Sequence, residues 1–240
     1  MCSGPTRMRL CVTVIASGIV VALAIVSLYL CSSMQRSQRW LGATRAVRLH
    51  SAIGLRISRL LSERAVLLVG DSRIESLRWP LHGYEGWRAT NVGIGGTTAA
   101  MWSDWLAGSP STTPYEAAVL WVGVNDLLTR GADVSATEDK VVGAARGLLS
   151  YARRVYVLEQ IPVRFASKRL ISEKISDDVR QLNVGVAHKL SQEKAVSIMQ
   201  LEEALRAPDG LLCDWASGDG LHLNERGQAW LSERLAKLLY

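Results

Sequence analysis

From residue 65 onward the chain alternates short apolar, β-rich runs with longer stretches of helical periodicity. That alternation constrains the fold more than any other feature. Strand candidates fall at 65–69, 89–92, 117–122 and 155–160, with a weaker one at 196–199. Helical periodicity marks 137–151 and 171–189 between them, and Asn224 is placed to cap a last helix running to about residue 238. Strands that take turns with helices predict a parallel sheet covered on both faces. In such a sheet the reactive residues lie just beyond the carboxyl ends of the strands.

Two segments precede this pattern. Residues 10–30 contain no charged side chain and are dominated by Val, Ile, Leu and Ala. A bilayer takes about 20 apolar residues to cross, so this stretch reads as a membrane anchor within residues 1–35. A cleaved signal is the alternative. It is disfavoured by the bulky Leu28-Tyr29-Leu30 where small residues belong. Residues 36–64 interleave arginines with Trp40, Leu41, Val47 and Ile53. They read as a basic amphipathic linker, packed on the domain or lying on lipid.

The net charge of +6 divides unevenly. Residues 1–64 hold nine arginines and one glutamate, whereas the rest holds 19 basic and 21 acidic residues. The basic excess therefore sits beside the apolar segment and not on the domain, which excludes a nucleic-acid partner and favours a membrane surface. A single-pass anchor with the 65–240 domain outside the cytoplasm is expected, although Arg36, Arg39, Arg45 and Arg48 by themselves favour the opposite orientation. Of the cysteines Cys2, Cys11, Cys31 and Cys213, only the last belongs to the domain. No internal disulfide, structural zinc site or metal cofactor is expected there.

The strand ends carry the chemistry. Gly70-Asp71-Ser72 follows the first run, and Asn91-Val92-Gly93-Ile94-Gly95-Gly96-Thr97-Thr98 follows the second. Gly123-Val124-Asn125-Asp126 follows the third, and Asp219-Gly220-Leu221-His222 lies near the C-terminus. Each fragment alone is weak. Together, in this order, they resemble the SGNH (GDSL-like) hydrolase superfamily over about residues 65–235.

That resemblance implies a three-layer α/β/α, flavodoxin-like fold and a serine esterase acting on acyl or acetyl esters. It implies Ser72 as nucleophile, His222 as base, and Asp219 behind the imidazole. The oxyanion donors it implies are the N–H groups of Ser72 and Gly96 and the side-chain amide of Asn125. The chemistry is consistent: a hydroxyl needs a base, a base needs an orienting carboxylate, and the tetrahedral anion needs fixed donors. No cofactor is required.

Two positions depart from the family pattern. Arg73 stands where Leu is common after the nucleophile, and Thr97 where Asp is common. Arg73 can meet an anionic group of the substrate, point to solvent or pair with an acid. Asn91 and Asp126 are expected to support loops, and Gly93 and Gly95 to serve backbone conformation. Trp102 and Trp105 share one helix face and read as core, while Trp215 can line the pocket mouth. His50, His82 and His188 have no motif around them.

Competing patterns are missing: there is no Gly-x-Ser-x-Gly elbow, no Walker A loop and no His-Glu-x-x-His. Within the serine reading, a carbohydrate hydroxyl in place of water makes the enzyme an O-acyltransferase. A non-catalytic glycan- or partner-binding module and a flavodoxin-like cofactor binder are the alternatives from other classes.

Overall fold

The computed structural model describes residues 65–77, 88–107, 115–129 and 131–239. The expected anchor, the 36–64 linker, His50 and His82 lie outside the described residues. Among the described residues no helix is long and apolar enough to cross a membrane.

Five strands form one parallel sheet: β1 (Ala65–Gly70), β2 (Arg88–Asn91), β3 (Ala117–Trp121), β4 (Val155–Leu158) and β5 (Val196–Met199). All five were expected, and their observed bounds differ by up to two residues. Their spatial order is β2-β1-β3-β4-β5, every pairing parallel. This is the flavodoxin-like order, whose topological switch falls between β1 and β3.

Among the described residues six α-helices connect or follow the strands: α1 (Ser72–Glu75), α2 (Ala99–Ala107), α3 (Val124–Leu127), α4 (Val134–Leu148), α5 (Arg169–Leu190) and α6 (Glu225–Leu239). The predicted cap of α6 is present: Asn224 Oδ1 accepts from Gly227 N–H at 3.0 Å. The fourth helix starts earlier than expected, because the Asp133 carboxylate accepts from the N–H groups of Ser135 and Ala136.

Strand alternation divides the core into two layers. Val66 and Leu68, Ala117 and Val119, and Tyr156 and Leu158 join Leu231 and Leu235 of α6 in one buried cluster. Burying each of those two leucines contributes about 1.5–3 kcal/mol. On the other face α2 packs on α4 and α4 on α5. Trp102 is fully buried there, as expected, and meets Trp105 edge-on; Trp105 is half-buried and stacks on Tyr151.

Candidate active site

The site lies at the carboxyl edge, where β1 and β3 diverge to opposite crossovers. Asp71 follows β1 and caps α1. Its Oδ1 accepts from Arg73 N–H at 2.9 Å, and its carbonyl accepts from Ile74 and Glu75 N–H at 3.1 and 2.9 Å. With those three donors spent on Asp71, the N–H of Ser72 has no acceptor among the described residues.

The Ser72 hydroxyl is half-buried and its Oγ stands 2.6 Å from His222 Nε2. His222 Nδ1 stands 2.6 Å from Asp219 Oδ2. The other Asp219 oxygen accepts from Ser217 Oγ at 2.6 Å, Leu221 N–H at 2.9 Å and His222 N–H at 3.1 Å. Partial burial pushes the Asp219 carboxyl up. The donors of Ser217, Leu221 and His222 outweigh that and hold it well below the usual carboxylate range. An ionised Asp219 keeps the proton on Nδ1, which leaves Nε2 free to accept from the serine.

The loop after β2 supplies a second element. Val92 N–H donates to Leu68 O at 2.9 Å, and Ile94 N–H to Gly70 O at 2.9 Å. Gly93 N–H donates to Asn91 Oδ1 at 2.9 Å, Gly95 N–H to Glu75 Oε2 at 3.0 Å, and Thr97 N–H to Ile94 O at 3.3 Å. Gly96, like Thr98, has an N–H with no acceptor among the described residues. Its φ of 76° suits glycine, and a Cβ there meets open space. Asn125, in the first turn of α3, donates one Nδ2 proton to Thr97 O at 2.9 Å. The second proton of that amide is left over.

The supporting residues behave largely as expected. Asn91 Nδ2 ties the loop to Ile74 O at 2.7 Å. Asp126 Oδ2 accepts from Ala99 N–H at 2.8 Å and so caps α2, while burial pushes its carboxyl up. Gly93 and Gly95 answer close approach, since a Cβ on either meets Glu75 or Ile74. Thr97 is buried and receives the Trp102 indole N–H at 2.9 Å, so it anchors the loop from beneath. His188 is exposed near the end of α5.

Of the three readings open for Arg73, pairing with an acid is the one realised. Arg73 faces neither solvent nor substrate. It is buried against Asp71, with its guanidinium 4.4 Å from the Trp121 ring centroid and its Nη2 2.5 Å from Gln160 Oε1. An adjacent buried carboxylate captures it before any ligand can. Trp215 is half-buried and packs on Trp230 of α6, with ring centroids 5.3 Å apart. Sequence reading also missed Glu75 and Ser217. Glu75 lies one helical turn after Ser72, and that spacing was the available signal.

Among curated proteins none matches the chain in sequence. A Streptococcus pneumonia protein described as a candidate platelet activating factor has the same fold. It is 19% identical, with a TM-score of 0.68, and the match covers 88% of this chain and 99% of that one. A GDSL-like lipase from Bacteroides thetaiotaomicron is 15% identical, with a TM-score of 0.59, covering 74% and 88%. An acetylxylan esterase from Geobacillus stearothermophilus is 15% identical, with a TM-score of 0.51, covering 75% and 95%. The model of the GDSL-like lipase/acylhydrolase family matches residues 68–230, which include all four motif blocks. The chain belongs to the GDSL-like lipase/acylhydrolase family and is a serine hydrolase.

Proposed function

We propose that the protein is a serine esterase cleaving acyl or acetyl esters of a small molecule, glycan or lipid, with Ser72, His222 and Asp219 as its catalytic triad. The observation that carries this reading is the unbroken relay from Ser72 Oγ through the imidazole to Asp219, 2.6 Å at each link. Ser72 Oγ attacks the ester carbonyl as His222 Nε2 takes its proton. The imidazolium, stabilised by Asp219, returns that proton to the leaving alcohol. Water then attacks the acyl-serine, giving its proton to His222, and the carboxylic acid leaves as Ser72 regains its hydrogen.

The tetrahedral anion needs donors not already committed inside the protein. The N–H of Ser72, the N–H of Gly96 and the spare Nδ2 proton of Asn125 meet that requirement. A donor free in the resting state costs no rearrangement when charge develops. The mechanism calls on no metal or cofactor.

The deciding experiment is labelling with a fluorophosphonate probe, beside the Ser72→Ala variant. Wild-type labelling that vanishes in the variant is expected. A variant that labels or turns over like wild type would falsify the nucleophile assignment. We also place the protein at a membrane through residues 10–30, with the domain outside the cytoplasm, on the strength of that apolar stretch. Full-length protein recovered in the soluble fraction would remove the anchor.

A further inference from the structure

Most N–H groups in the loop after β2 donate to acceptors within or just beneath it: Leu68 O, Gly70 O, Asn91 Oδ1 and Ile94 O. Gly95 alone reaches a side chain of α1, at Glu75 Oε2, 3.0 Å away. Glu75 stands three residues after Ser72, on the same side of the helical turn. A Cβ on Gly95 would lie 2.8 Å from that carboxylate oxygen and 3.6 Å from Ser72 Cβ. Carboxylate, nucleophile and loop therefore converge at one point.

The residue after Gly95 is also glycine, and Gly95-Gly96 is the most freely rotating dipeptide a chain can contain. The Gly96 N–H is left uncommitted, so any freedom in that dipeptide would blur its aim. On the far side the loop is pinned by Thr97 N–H on Ile94 O at 3.3 Å and by the buried Thr97 hydroxyl on that same carbonyl at 2.8 Å. On the near side the pin is Glu75. Its side chain is exposed and fills no core space, so packing does not account for it.

We infer that Glu75 is a positioning residue for the oxyanion hole: by holding Gly95 N–H it fixes the adjoining peptide and aims Gly96 N–H at the developing oxyanion. The inference rests on the esterase reading of Gly96. Only an acceptor at that place is needed, so a neutral amide oxygen serves as well as a carboxylate.

The test compares full-length wild type, Glu75→Ala and Glu75→Gln in kcat and KM on p-nitrophenyl acetate, and in the Gly95 amide proton resonance. Glu75→Ala is expected to lose about tenfold in kcat at unchanged KM, less than outright loss of a donor. Its Gly95 resonance should move upfield as the hydrogen bond goes. Glu75→Gln should restore both. Wild-type kcat in Glu75→Ala, or a Glu75→Gln as slow as Glu75→Ala, overturns the inference. An unmoved Gly95 resonance in Glu75→Ala overturns it whatever the turnover. Wild type that takes no fluorophosphonate overturns the esterase reading instead.

Discussion

Arg73 closes its guanidinium on the Asp71 carboxylate in a two-pronged pair, Nε to Oδ1 at 3.1 Å and Nη2 to Oδ2 at 2.8 Å, with both side chains out of reach of solvent. Asp71 and Arg73 flank Ser72, the proposed nucleophile, on either side in the chain. Trp121 at the end of β3 and Gln160 after β4 both touch the guanidinium. Three strand ends are thus joined under the site by one cation.

Replacing Arg73 with the family's common Leu strips a buried carboxylate of its counter-charge. Arg73→Leu is expected to cost about 3–5 kcal/mol of stability, the range for breaking a buried pair from one side. The double variant Asp71→Asn with Arg73→Leu removes the stranded charge and should recover most of that loss. Urea denaturation of both variants checks this. Equal losses in the single and double variants contradict a charge-pair role for Arg73.

Asn125→Ala removes the only side-chain donor assigned to the oxyanion. Turnover should fall by about 10²–10³-fold while KM stays near wild type, because the donor acts where charge develops. The amide also holds Thr97 O, so a stability loss of about 1 kcal/mol should accompany it. Steady-state kinetics on a small acetyl ester read the split between kcat and KM. A change confined to KM removes Asn125 from the oxyanion hole.

The sheet and the four motif blocks were legible because both have local signatures. Buried parallel strands read as apolar runs, and three of the four motif blocks come directly after them. Glu75 and Arg73 were harder for one physical reason. Each acts through a contact made at long sequence range, Glu75 to Gly95 and Arg73 to Gln160, and side-chain direction after a strand-to-helix turn has no periodic signal. Helix α4 began early because a capping aspartate overrides a periodicity that starts only at Thr137.

Gly220 and Gly218 flank Asp219 and should differ sharply on substitution. Gly220 has φ 69°, its N–H donates to Ser217 O at 3.0 Å, and a Cβ there overlaps the Arg164 carbonyl. Gly218 faces open space. Gly220→Ala is therefore expected to destabilise the domain by more than about 1 kcal/mol and to slow fluorophosphonate labelling, since His222 stands two residues on. Gly218→Ala should label at the wild-type rate. Equal rates for the two variants show that the loop does not need the left-handed turn.

Asp219 settles how the site responds to acid. Its carboxyl is held well below the usual carboxylate range by the donors of Ser217, Leu221 and His222, against the upward push of burial. A group with a depressed folded value contributes stability that is fully present above its unfolded value and is lost only as pH falls through the folded one. Asp219 is half-exposed, so that contribution is small. Its consequence for catalysis is larger, because the carboxylate stays ionised well below the usual carboxylate range. The acid limb of kcat/KM should therefore carry no proton from Asp219. Asp219→Asn should lower kcat by up to about 10⁴-fold, because an amide in that place no longer enforces the Nδ1-protonated tautomer. Two-proton falloff in the wild-type profile between pH 4 and 8 contradicts a permanently charged Asp219.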